Sequence, residues 1–157
     1  ATANLQTRWP AVGNGCSDWL SSVPMTSALP IRNPCPPGTC ICGRDALLDT
    51  PDADLRSLRL TLTEEKRLLE RLENLHSLAD LEHMQQRLYE QLGIRLEIAP
   101  KASEVRSLRG IGIHIPERPG LCRKIRQSIP VAIRKSLEKR PEIIHRLLDA
   151  QDLFRAL

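Results

Sequence analysis

Cys35, Cys40 and Cys42 fall within eight residues, in the run Asn33-Pro-Cys-Pro-Pro-Gly-Thr-Cys-Ile-Cys-Gly-Arg44. No other feature of the chain restricts its folding as much. The spacing is C-x4-C-x-C. A fourth cysteine, Cys122, lies far along the chain in Arg118-Pro-Gly-Leu-Cys-Arg123, and a fifth, Cys16, precedes the cluster. Five is an odd number, and three thiols so close in sequence cannot all pair with one another. The first ten residues show no charged region leading into an apolar stretch, so a secretory disulfide scaffold is the weaker reading and a cytoplasmic location the expected one. Thiolates gathered in a Gly/Pro-rich turn suit a tetrahedral site for a soft metal. Gly38 and Gly43 allow the tight backbone that convergence of the sulfurs requires.

The expected ligand set is therefore Cys35, Cys40, Cys42 and Cys122, with Cys16 as the substitute if Cys122 is a buried core thiol. Structural zinc usually shows C-x2-C pairs, which this chain lacks, whereas iron–sulfur centres use more varied spacings. The cofactor reading is thus an iron–sulfur cluster or zinc, leaning to iron–sulfur. Free or redox-active thiols are the competing account.

The cysteines sit in a segment unlike the rest. Seven of the twelve prolines and four of the eight glycines lie between Pro10 and Pro51. Proline fixes φ and removes a donor, so residues 1–54 read as an irregular arm with no long helix or central strand. The arm also holds both tryptophans, Trp9 and Trp19, which are candidate partner-binding anchors or caps on the chain's own core.

Residues 55–157 read as an α+β domain. Leu58, Leu60 and Leu62 alternate like a half-buried strand, with Thr63 as the cap of a following helix. Leu68, Leu69, Leu72 and Leu75 then recur at helical spacing. Ser77, three residues before Asp80, caps a second helix carrying Leu78, Leu81, Met84, Leu88 and Leu92, which stops at Gly93. Ile94, Leu96 and Ile98, and then Ile111, Ile113 and Ile115, predict two antiparallel strands. Gly110 and Gly112 mark a close backbone approach or a bulge. Ile125, Ile129, Ile133 and Leu137 predict a helix that Pro130 interrupts, with Ser128 capping its restart. Pro141 opens a final helix. The expected fold is a small antiparallel sheet with helices on one face, in the order β-α-α-β-β-α plus C-terminal helices.

Charge is divided unevenly. Residues 1–100 hold 10 Lys/Arg against 13 Asp/Glu, and residues 101–157 hold 13 against 6. Arg123, Lys124, Arg126, Arg134, Lys135, Lys139 and Arg140 flank the isoleucine stripe and form a candidate basic face. Such a face suits nucleic-acid phosphates or an acidic protein partner. It carries no aromatic platform for bases, so a duplex backbone fits better than a single strand.

No apolar run approaches a membrane span. His76, His83, His114 and His145 are scattered and belong to no hydrolase or metalloprotease motif, so the reading leans away from catalysis. The leading functional reading is a regulatory or accessory protein with a cysteine-held metal centre and a nucleic-acid-facing C-terminal region. The alternatives are an adaptor subunit using the Trp/Pro-rich arm, or a small iron–sulfur sensor or carrier.

Overall fold

The computed structural model describes residues 30–101 and 108–155, with side chains as far as Asp152. Trp9, Cys16 and Trp19 lie outside the described residues, as does the side chain of Phe154. The fold is α+β, with a small antiparallel sheet among helices. In chain order the elements are α1 (Arg44–Asp49), a 3-10 turn (Arg56–Arg59), α2 (Leu62–Glu73) and α3 (Leu78–Arg87), which ends in a π turn (Leu88–Leu92). Then come β1 (Glu97–Pro100), β2 (Ile111–His114), α4 (Arg123–Lys139) and α5 (Pro141–Arg155).

The long helices form where apolar residues recur on one stripe. In α4, Ile125, Ile129, Ile133 and Leu137 are all buried and pack chiefly against α2, where Leu72 is fully buried. Leu75 follows α2 and enters the same core. α5 adds Ile143, Ile144, Leu147 and Leu148. Ser77 caps α3 as expected, its hydroxyl accepting from the Asp80 amide at 3.2 Å. β1 and β2 pair antiparallel from Glu97 with His114 to Pro100 with Ile111. Ile111, Ile113 and Ile115 point inward and His114 outward, as the alternation predicts.

Three local expectations are corrected. The first strand does not form. Leu58 and Leu60 are buried, but Leu62 is 65% exposed and already begins α2. Among the described residues no strand lies beside this segment to take up its backbone groups. They close locally instead: the Leu58 amide donates to Leu55, the Thr61 amide to Arg59, and the Leu58 carbonyl accepts from the Arg32 amide at 2.7 Å. The α2 cap is accordingly Thr61, whose hydroxyl accepts from the Glu64 amide, and not Thr63.

Pro130 does not break α4, which runs through it for 17 residues. Burial of the isoleucine stripe on both sides of the proline holds the helix together across the missing amide. Ser128 caps nothing; its hydroxyl donates to the Lys124 carbonyl one turn back at 2.8 Å. Gly112 is not a point of close approach either. A Cβ there would meet the Ala99 carbonyl at 3.4 Å, an ordinary contact.

Polar pins hold the α2–α3 connection to the core. The buried Ser136 hydroxyl of α4 accepts from the Leu75 amide at 3.1 Å. Asp80 receives both Arg71 guanidinium nitrogens and the His76 amide. The Arg71 hydrogen bonds hold the Asp80 carboxyl below the usual carboxylate range, and the His76 amide assists. A depressed carboxylate pKa adds stability above the unfolded-state value and loses it as pH falls through the folded-state one. Asp80→Asn is therefore expected to cost about 1–2 kcal/mol at pH 7, where the pair is partly solvated. The cost should shrink toward zero below pH 4 in urea melts run over a pH series.

Candidate metal centre

The cysteine run is shaped by its own turn chemistry. Pro36-Pro37-Gly38-Thr39 closes with the Thr39 amide donating to the Pro36 carbonyl at 3.2 Å, and the Thr39 hydroxyl donates to the same oxygen. Pro37 supplies the fixed φ of a type II turn, and Gly38, at φ 79°, the positive one. The turn folds Cys40 back toward Cys35. Beyond it Cys40 and Cys42 face inward while Ile41, between them, is fully exposed. An x1 spacing delivers two side chains to one side only when the backbone alternates, as it does here.

Cys122 comes from the other end of the domain as the N-cap residue of α4. What brings it to the turn is mostly backbone. The Gly120 amide donates to the Cys42 carbonyl at 2.7 Å, while Arg44 Nε donates to the Arg32 carbonyl at 3.0 Å. Gly120 has φ 81°, and a Cβ on it would sit 2.7 Å from Ser57 Oγ and 2.9 Å from Leu47 Cδ2. The segments before and after the core thus cross at a point where only a glycine fits.

The four Sγ atoms of Cys35, Cys40, Cys42 and Cys122 all lie within 4.8 Å of one another. The Cys35–Cys122 pair is 3.4 Å apart, and the four cysteines are free of disulfides. Cys122 is 9% exposed and the others are half-buried against the core. Burial acts against the charged form at all three sulfurs with a resolved shift. It pushes Cys35 up. It pushes Cys122 well up, with hydrogen bonds to Cys35 and Cys40 adding to the effect and the Arg32 charge opposing it. At Cys40 hydrogen bonds from Cys122, Cys42 and Cys35 outweigh burial and bring the thiol down to about 7. A cation bound by these sulfurs would displace their protons.

The donor set fits a metal. A single tetrahedral ion with sulfur ligands at about 2.3 Å requires sulfurs about 3.8 Å apart, within the span observed here.

Arg32 was not legible as part of this site. Its Nη2 donates to Cys42 Sγ at 3.3 Å, the residue is 7% exposed, and Nε and Nη1 are buried without a partner among the described residues. The nearest sequence signal is weak: one arginine three residues before the first cysteine of the run.

The basic residues are only partly brought together. Lys135 pairs with Glu73 at 2.9 Å, Arg126 with Glu117 at 2.8 Å, and Lys124 approaches Glu65 at 3.9 Å. Lys139 and Arg140 donate to the carbonyls of Glu73 and His76. Five of the seven candidates therefore stitch α4 to its neighbours. Arg123 and Arg134 are exposed and make no ion pair with a described residue. They stand on one face of α4, about 16 Å apart along its axis. All four histidines are exposed.

A separate shallow cleft of about 250 Å³ is lined by Arg56, Tyr89, Arg95 and Arg118 among others. Asp54 beside it already binds Arg56 and Arg118, so the cations there serve the fold. Among the described residues no helix is long and apolar enough to cross a membrane. No protein-family model matches the chain, and no curated protein or solved structure matches it.

Gly120→Ala tests the crossing point. Its forced positive φ and the crowding at Ser57 and Leu47 are expected to cost about 1–3 kcal/mol. Gly112→Ala, made as a reference, should change thermal stability little. Equal melting temperatures for the two variants would contradict the geometry described here.

Proposed function

We propose that the chain is a non-enzymatic accessory protein built around one structural metal ion, zinc, held by Cys35, Cys40, Cys42 and Cys122. The ion fastens the Pro/Gly-rich segment to the start of α4. The observation that carries this reading is the convergence of four sulfurs, from two segments 80 residues apart, within 4.8 Å. That spacing favours a single ion over an iron–sulfur cluster, whose cysteines surround a core of several irons and sulfides and so stand further apart. It also favours a metal over a redox pair, because all four sulfurs are drawn into the same group.

With its N-terminus held in this way, α4 turns Arg123 and Arg134 outward. We infer that this face contacts the phosphates of nucleic acid, without choice of sequence. Two outward guanidiniums lacking a carboxylate partner support the reading, because paired cations have little attraction left for phosphate.

Purified protein is expected to be colourless and to contain one zinc per chain by elemental analysis. Chelation, or Cys122→Ser, should lower Tm by about 10 °C or more, given the large share of folding energy that structural zinc supplies to small domains. A brown preparation with several irons would replace zinc by a cluster, and metal-free protein of unchanged Tm would remove the centre.

Binding to a duplex, followed by anisotropy over a salt series, should weaken with salt. Arg123→Ala and Arg134→Ala should each reduce the log–log slope by about 0.9 while metal content stays at one. A flat salt dependence in the wild-type chain would exclude phosphate contact by this face.

A further inference from the structure

Arg32 stands out among the buried groups of the molecule. A guanidinium always carries its charge, and burying one is unfavourable unless an anion faces it. Arg32 is 7% exposed, and no carboxylate of the described residues pairs with it. Asp45 of α1 pairs with Arg44, the residue whose Nε holds the Arg32 carbonyl. The backbone of Arg32 is held at both ends, its amide on the Leu58 carbonyl and its carbonyl on Arg44 Nε. The side chain is therefore placed, not stranded, and among the described residues its single polar contact is Cys42 Sγ at 3.3 Å. Two further donors, Nε and Nη1, are buried with no partner among the described residues.

We propose that Arg32 is the built-in counter-charge of the cysteine centre, a positioning residue that stabilises the four sulfurs as thiolates around a divalent ion. This rests on the metal reading above and extends it to the charge state of the centre. Four neutral thiols, or two disulfides, would leave the guanidinium facing no charge. Four thiolates around a divalent ion carry a net charge of −2, which Arg32 halves.

The hydrogen bond to Cys42 also draws electron density from that sulfur. Cys42 is thereby the least nucleophilic of the three ligands in the run, while Cys35 and Cys40 receive no such bond from a cation. Outer-shell partners of this kind commonly alter metal affinity by about 10–100-fold. Arginine is suited to the role because its charge does not titrate and its planar fork reaches sulfur without filling the site.

The test uses the full zinc-loaded chain at fixed pH. Zinc transfer to a chromogenic chelator is followed in the wild type, Arg32→Gln, Arg32→Met and Arg32→Lys. Mass spectrometry identifies which cysteines are alkylated by N-ethylmaleimide. Loss of the charge in Arg32→Gln and Arg32→Met is expected to weaken zinc retention about 10–100-fold and to raise alkylation at Cys42 relative to Cys40. Arg32→Lys, which keeps the charge, should recover part of both effects.

Helicity by circular dichroism separates these effects from unfolding, and the methionine variant preserves apolar packing if the glutamine variant fails to fold. If the wild type holds no zinc, the metal reading itself falls. If it holds zinc and both neutral variants retain it with unchanged affinity and alkylation order, the centre stands and the role of Arg32 is refuted.

Discussion

The meeting of the Arg32–Gly43 run with the start of α4 is the constraint on which the rest of the molecule depends. A run with three prolines and two glycines forms few backbone hydrogen bonds of its own, and ordering it is costly in entropy. It is held by a small number of cross-links: the Gly120 amide on Cys42, the Arg32 amide on Leu58, Arg44 on the Arg32 carbonyl, and the sulfurs of four cysteines. Removing the sulfur contacts would leave hydrogen bonds that water can replace. The glycine at 120 answers a positive φ of 81° and the Ser57 and Leu47 side chains that a Cβ would meet.

The same arrangement links packing to surface chemistry. α4 is anchored at its start by Cys122, along its length by the isoleucine stripe against α2, and along one flank by Lys124, Lys135 and Lys139 reaching to α2. Lys124 and Lys135 meet carboxylates of α2, whereas Arg123 and Arg134 pair with no carboxylate of the described residues. A count of positive residues along the sequence therefore overstates the basic face. The number that matters is how many remain without a carboxylate partner, and among the described residues three of the seven, Lys124, Arg126 and Lys135, have one.

Much of the fold was legible because its helices obey simple periodicity. The i, i+4 stripe of α4, the Ser77 cap and the two antiparallel strands follow from local pattern and chemistry. The failures share a cause. The segment Leu58–Leu62 alternates like a strand, but a strand needs a neighbour, and the element beside it, residues near Arg32, supplies only one hydrogen bond. Pro130 should end a helix by local rules, yet burial on both sides outweighs one missing amide. In each case the tertiary surroundings, a missing strand partner or a buried stripe, outweighed the local preference.

At the centre itself, the chain's order alone determined the ligand chemistry: thiols, a Pro-Gly turn that folds Cys40 toward Cys35, and an x1 spacing that sets Cys40 and Cys42 on one side of Ile41. These are consequences of φ restrictions and side-chain alternation over a few residues. Only the tertiary structure decided that Cys122 joins them, that the sulfurs crowd within the span of one ion, and that Arg32 lies buried against them with no acid of the described residues paired to it. Those facts depend on where α4 begins relative to a segment 80 residues earlier, and on which carboxylates other arginines have already claimed. Such relations are set by packing in three dimensions, and no local pattern encodes them.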